Sequence, residues 1–136
     1  MAILIGQAMK KYIENNFASF KMDRGILHIA YKENLCLSLK AAKEVVSQRL
    51  KIQHGRAYPI VCDMRGIRDV TMDAKEYLVT EGSVLVSALA MITKTPLSLL
   101  YTEIYTLETP PITIRRFTDE SRALEFLRPF VKLNDL

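Results

Sequence analysis

Tryptophan is absent from this chain of 136 residues, and cysteine occurs only at Cys36 and Cys62. Two cysteines without metal-ligand spacing do not make a disulfide framework or a zinc site, and they fit a reducing cytoplasm. The two histidines, His28 and His54, are far apart and share no ligand spacing, so no metal and no cofactor is expected. Five glycines and five prolines are too few for a long disordered segment. No basic run reaches the length of a nucleic-acid tail. The excess of +4 is spread along the chain in short pairs such as Lys10-Lys11 and Arg115-Arg116, without aromatic platforms beside them. Nucleic acid is therefore not an expected partner. The start, MAILIGQAMKKYIE, places its lysines after a short apolar run, the reverse of a signal peptide. The longest apolar region, 84–107, is interrupted by Lys94, Pro96 and Glu103, so no membrane span is expected. Nor is there a phosphate-binding glycine loop, a dinucleotide fingerprint or a nucleophile–base pair at recognisable spacing. The expectation is a cytoplasmic protein that is not an enzyme.

What is present is enough apolar residue, 49%, to build one domain's core without metals or disulfides. The segment 17–22 alternates as a strand does, Asp23-Arg24-Gly25 signals a turn, and ILHIAY at 26–31 completes a hairpin. Ser38 caps a helix running to Gln53, with Ala42, Val45, Val46 and Leu50 on its inner face and His54-Gly55 as its stop. Tyr58–Asp63 is nearly all apolar, as a strand covered on both faces should be. Thr71 caps a second helix with Ala74, Tyr77 and Leu78 inward, and 84–93 reads as a fourth, central strand. Thr95-Pro96 opens a helix to Leu107, 113–117 is a short fifth strand, and 118–120 cap a last helix with Leu124, Leu127 and Phe130 inward. Helices alternating with strands imply an α/β fold: about five strands, mostly parallel after the N-terminal hairpin, and about four helices. Residues 17–130 form the single domain. Residues 1–16 are an arm that the pattern leaves open between helix, extra strand and mobile segment, and 131–136 are a tail.

The stretch 58–81, YPIVCDMRGIRDVTMDAKEYLVTE, carries most of the functional signal. An apolar strand stops at Asp63, a polar loop follows, and a capped helix begins. In open α/β sheets, sites gather at such carboxyl ends. Asp63, Arg65, Arg68, Asp69 and Thr71 are the candidate contacts for a partner or an anion. Asp63 is read first as an acceptor for the following loop, and Thr71 first as a helix cap. Arg65, Arg68, Arg115 and Arg116 could converge, although strand alternation points Arg115 and Arg116 to opposite faces. The second candidate is the apolar face of Leu97, Leu100, Tyr101 and Ile104, which is read first as core and otherwise as a small-ligand pocket or dimer interface. His28 is read as a partly exposed sheet histidine.

The words GILHI at 25–29, AAKEVV at 41–46, YPIVCDMRGI at 58–67 and PPITIRRFTDESRALEFL at 110–127, in this element order, resemble the bacterial STAS domain. The likeness is to its SpoIIAA-like group, which is itself similar to a small CRAL-TRIO (Sec14) lipid-binding domain. The resemblance spans about residues 17 to 130 and implies the fold. It is to a branch with no settled function. What it implies for activity is a non-enzymatic module that binds a protein partner or forms a homo-oligomer, or else a carrier of a small apolar or lipid-like ligand. In STAS regulators a Ser or Thr at the start of the helix after the third strand is phosphorylated, with an Asp before it and a glycine just beyond. Asp69 and Thr71 stand at that place, but no glycine follows Thr71.

Overall fold

The apolar run at 58–63 lies inside a six-stranded sheet in the computed structural model, which describes residues 12–94 and 112–135. The described elements are β1 (Tyr12–Glu14), β2 (Ala18–Asp23), β3 (Ile26–Tyr31), β4 (Leu35–Leu37), α1 (Leu39–Gln53), β5 (Tyr58–Asp63), β6 (Ile67–Val70), α2 (Met72–Thr80), β7 (Val86–Ile92), β8 (Thr113–Phe117) and α3 (Glu120–Leu127). The main sheet has the order β1-β2-β3-β5-β7-β8, and β4 and β6 form a separate parallel pair. β1, β2 and β3 are antiparallel neighbours, while β3-β5, β5-β7 and β7-β8 run parallel. The α/β class and the mixed, mostly parallel sheet match the expectation.

The strand count does not. Five strands were expected, and the main sheet has six because Tyr12–Glu14, in the segment left open, pairs with Ser19–Lys21 at its edge. Three α-helices are described. The helix expected at 96–107 lies outside the described residues, as do Leu97, Leu100, Tyr101 and Ile104.

Local chemistry explains the elements. The β2–β3 hairpin closes through Arg24 and Gly25, both at positive φ (50° and 81°), as the twist of a two-residue hairpin loop requires. A side chain at Gly25 would also strike Val131, 2.6 Å from a built Cβ. The Ser38 hydroxyl accepts from the Ala41 N–H at 3.2 Å and starts α1. His54 at φ 50° and Gly55 at φ 77° end it. One feature of α1 departs from expectation. Leu50 is only half-buried, whereas Arg49 and Gln53 are buried. They are tolerated because they are hydrogen-bonded: Arg49 donates to Gln53 Oε1 (2.6 Å) and to the Gly82 carbonyl (3.2 Å), and Gln53 Nε2 donates to the carbonyls of Arg56 and Leu85, both at 2.8 Å.

The core lies on both faces of the sheet. On one, α1 and α2 pack over Phe20, Leu27, Ile29, Ile60 and Met91. On the other, α3 presses Ala123 and Leu127 onto Val61, Ala88, Ala90 and Ile92. α3 packs on β5, β7 and β8, so it covers only part of its face. Beyond α3, Val131 packs onto the same cluster and Asp135 pairs with Arg56 at 3.0 Å.

Candidate functional site

Asp63 ends β5 and turns its carboxylate onto the residues that follow. Oδ1 accepts from the Arg65 backbone N–H (3.1 Å) and from Arg65 Nε (2.9 Å), while Oδ2 accepts from Arg65 Nη2 (2.8 Å). Half-burial alone would raise this carboxyl's pKa, but the Arg65 hydrogen bonds and charge outweigh it and hold the group below the ordinary carboxylate range. The acceptor role expected of Asp63 is thus observed. Gly66 comes next, with its backbone pressed against the end of β3. A built Cβ would lie on the Lys32 carbonyl oxygen and 2.7 Å from that of Tyr31.

The segment after Gly66 corrects the expectation of an irregular polar loop. Ile67–Val70 is a strand, β6, pairing parallel with β4 (Leu35↔Ile67, Cys36↔Asp69, Leu37↔Val70). The Leu35 N–H donates to the Gly66 carbonyl at 3.1 Å and Thr71 N–H to Leu37 at 3.1 Å, closing both ends of the pair. Two candidate residues ride on it. Arg68 reaches Asn34 Oδ1 (3.3 Å) and lies 3.7 Å from Asp69. Asp69 Oδ1 accepts from the Cys36 thiol at 3.0 Å, and that hydrogen bond pushes the exposed thiol's pKa up.

Thr71 is the N-cap of α2. Its hydroxyl accepts from the Ala74 N–H (3.4 Å) and donates to Asp73 Oδ1. Met72 follows, 64% exposed at the first turn of the helix.

The arginines do not converge. Arg65 is held by Asp63, and Arg68 lies by Asn34 and Asp69. Arg115 sits 5.2 Å over the Phe126 ring on the α3 side, while Arg116 pairs in register with Met91, whose side chain belongs to the opposite core. The alternation that separates Arg115 from Arg116 was legible in the sequence, but the separate partners of Arg65 and Arg68 were not.

A second group was missed. His28 and Glu120, 92 residues apart in sequence, meet with Nδ1 3.6 Å from Oε2. They line a cleft of about 180 Å³ together with Lys21, Ser19 and Asp63. No local motif announces it, since the pairing of β2 with β3 and the docking of α3 create it. Among the described residues, no group of three or more His, Cys, Asp and Glu is placed to hold a metal ion, and no helix is long and apolar enough to cross a membrane.

The chain is similar in structure to an uncharacterised DUF3478-family protein with a SpoIIAA-like fold from Shewanella loihica PV-4. The likeness has a TM-score of 0.61 at 14% identity, and it covers 85% of this chain and 98% of that one. At that identity it establishes the fold alone, which is the SpoIIAA-like fold that the sequence resembles. No curated protein matches the chain. The profile of a domain of unknown function, DUF7793, matches residues 19–131, and the chain belongs to that family.

Proposed function

We propose that this protein is a cytoplasmic, non-enzymatic binding module that presents the 63–72 segment and the start of α2 to a protein partner. The observation that supports the reading is Met72. It is a large apolar side chain, 64% exposed, at the first turn of a capped helix. Around it stands a rigid polar frame: the Asp63–Arg65 fork, the β4–β6 pair and the Thr71 cap. A preformed apolar anchor ringed by polar groups is the usual anatomy of a contact that binds without reordering. Thr71 enters this reading as the residue that holds the helix start in place.

The test is photo-crosslinking in the native cell, with a benzophenone amino acid at Arg68 and a control at Lys51, which is exposed on α1. One discrete adduct from position 68, absent from position 51 and lost when Met72→Asp is added, is the expected result. Equal adducts from both positions, or an adduct indifferent to Met72→Asp, would remove this surface as the contact.

A further inference from the structure

On the α3 side, the strand register sets two rows of side chains across the sheet. One row runs Tyr12, Lys21, His28, Val61, Ala90, Arg115. The next runs Glu14, Ser19, Ala30, Asp63, Ile92, Phe117. Each row changes character where α3 begins. Val61, Ala90 and Ile92 are apolar and lie in the cluster under the helix. Lys21, His28 and Ser19 are polar and lie beyond its edge. Ser19 and Ala30 are small, and between the larger Lys21, His28 and Asp63 they leave a depression. Glu120, on the first residue of α3, overhangs it from the helix side. The result is the cleft of about 180 Å³, at the carboxyl ends of β3 and β5, where ligands of parallel sheets gather.

The charges around the cleft are opposite and separated. Lys21 stands on β2 directly across from His28, is exposed, and lines the cleft. Glu120 stands on the far side of the imidazole, on α3, with its side chain 57% exposed. Asp63 lines the same cleft with a second carboxylate. It is shared with Arg65, but each of its oxygens can accept again. His28 lies between the two poles, its side chain only 14% exposed. Burial first, and the Lys21 charge second, push its pKa down. The imidazole is then a neutral hydrogen-bonding group between a cationic and an anionic wall.

We infer that this cleft binds a small zwitterion of the α-amino-acid class, its ammonium against Glu120 and Asp63 and its carboxylate against Lys21. A ligand with one charge would satisfy one wall and leave the other desolvated without a counter-charge, which disfavours simple anions and simple amines. The volume admits an amino acid with a short side chain. The cleft shares Asp63 with the frame of the proposed partner surface but not Met72, and its test reads Lys21 and Glu120, which that surface does not use.

The test is a two-dimensional amide NMR titration of the whole chain with glycine, L-serine and L-glutamine, each set beside acetate and methylamine at the same concentration. Saturable shifts at Ser19, Ala30 and His28 with at least one amino acid, and none of comparable affinity with acetate or methylamine, are expected. Lys21→Met and Glu120→Gln, both at exposed positions, should each weaken that binding about tenfold or more while leaving the rest of the spectrum in place. No saturable shift with any of the three amino acids would overturn the inference. So would acetate or methylamine binding as well as they do, or affinity unchanged in both variants.

Discussion

At the scale of single residues, environment decides behaviour that composition cannot. The two cysteines show this. Cys62 is buried in β5, and burial first, then the neighbouring Asp63 charge, push its thiol up to about 12. Cys36 is exposed and donates to Asp69. Since the thiolate is the nucleophile, an aromatic disulfide reagent at pH 8 should titrate one thiol per native chain and two in denaturant. Asp69→Asn should quicken the native reaction, because it removes the charged acceptor that holds the Cys36 proton. Two fast native thiols, or a slower Asp69→Asn variant, would contradict this assignment. Gly66 makes the same point for backbone. It needs no unusual φ, but it leaves no room for a Cβ against the Lys32 and Tyr31 carbonyls. Backbone oxygens cannot rotate away as a flexible side chain would. Gly66→Ala should therefore destabilise by about 2 kcal/mol in urea unfolding, in the range of an overpacked site. Gly55→Ala, where no atom lies within 4 Å, carries only the strain of its left-handed φ.

At the scale of elements, legibility followed how local the cause was. Ser38, Thr71 and Asp119 each sit beside the helix they cap, so three starts could be read from neighbouring residues. β5 was readable from one uninterrupted apolar run. β6 was not, because Ile67-Arg68-Asp69-Val70 has two charged residues in four and becomes a strand only by pairing with Leu35–Leu37, some 30 residues earlier. β1 was ambiguous for the same reason, being three residues long and defined by β2. The structure of the candidate segment was thus misread, since its order comes from a non-local partner. The caps offer a direct test. Thr71→Ala removes the acceptor for the Ala74 N–H and should lower stability by about 1 kcal/mol, while Thr71→Ser retains both the cap and the donor to Asp73. The measurement is the urea midpoint at unchanged m value. A Thr71→Ala chain as stable as the parent would show that the cap carries no weight.

At the scale of the whole molecule, the layered α/β plan was legible because apolar runs and amphipathic stripes alternate along the chain. How the layers meet was not, and the position of His28 at the edge of α3 on its sheet face, as the described residues show it, is a consequence of that meeting. This boundary should govern the response to acid. Burial and the opposing Lys21, with a smaller push from Arg24, hold the His28 pKa below its ordinary 6.5, while Glu120 and Asp23 pull the other way without prevailing. The unfolded chain therefore takes up that proton first. Its contribution to stability is whole above about pH 6.5 and declines as pH falls toward the folded value. Asp63 acts in the same direction lower down. Its folded pKa lies below the ordinary 3.8, so its contribution is present above that pH and is lost as pH falls through the folded value. Unfolding midpoints in urea should then drop in two stages, one beginning below about pH 6.5 and one below about pH 3.8. His28→Gln should flatten the upper stage and leave the lower one. Asp63→Asn should shrink the lower stage to the part left by Glu14, whose carboxyl the Lys32 hydrogen bond and charge also lower, and, by breaking the fork to Arg65, also lower the midpoint at pH 7. A His28→Gln chain whose midpoint falls between pH 7 and pH 5 as steeply as the parent's would place the upper stage on another group.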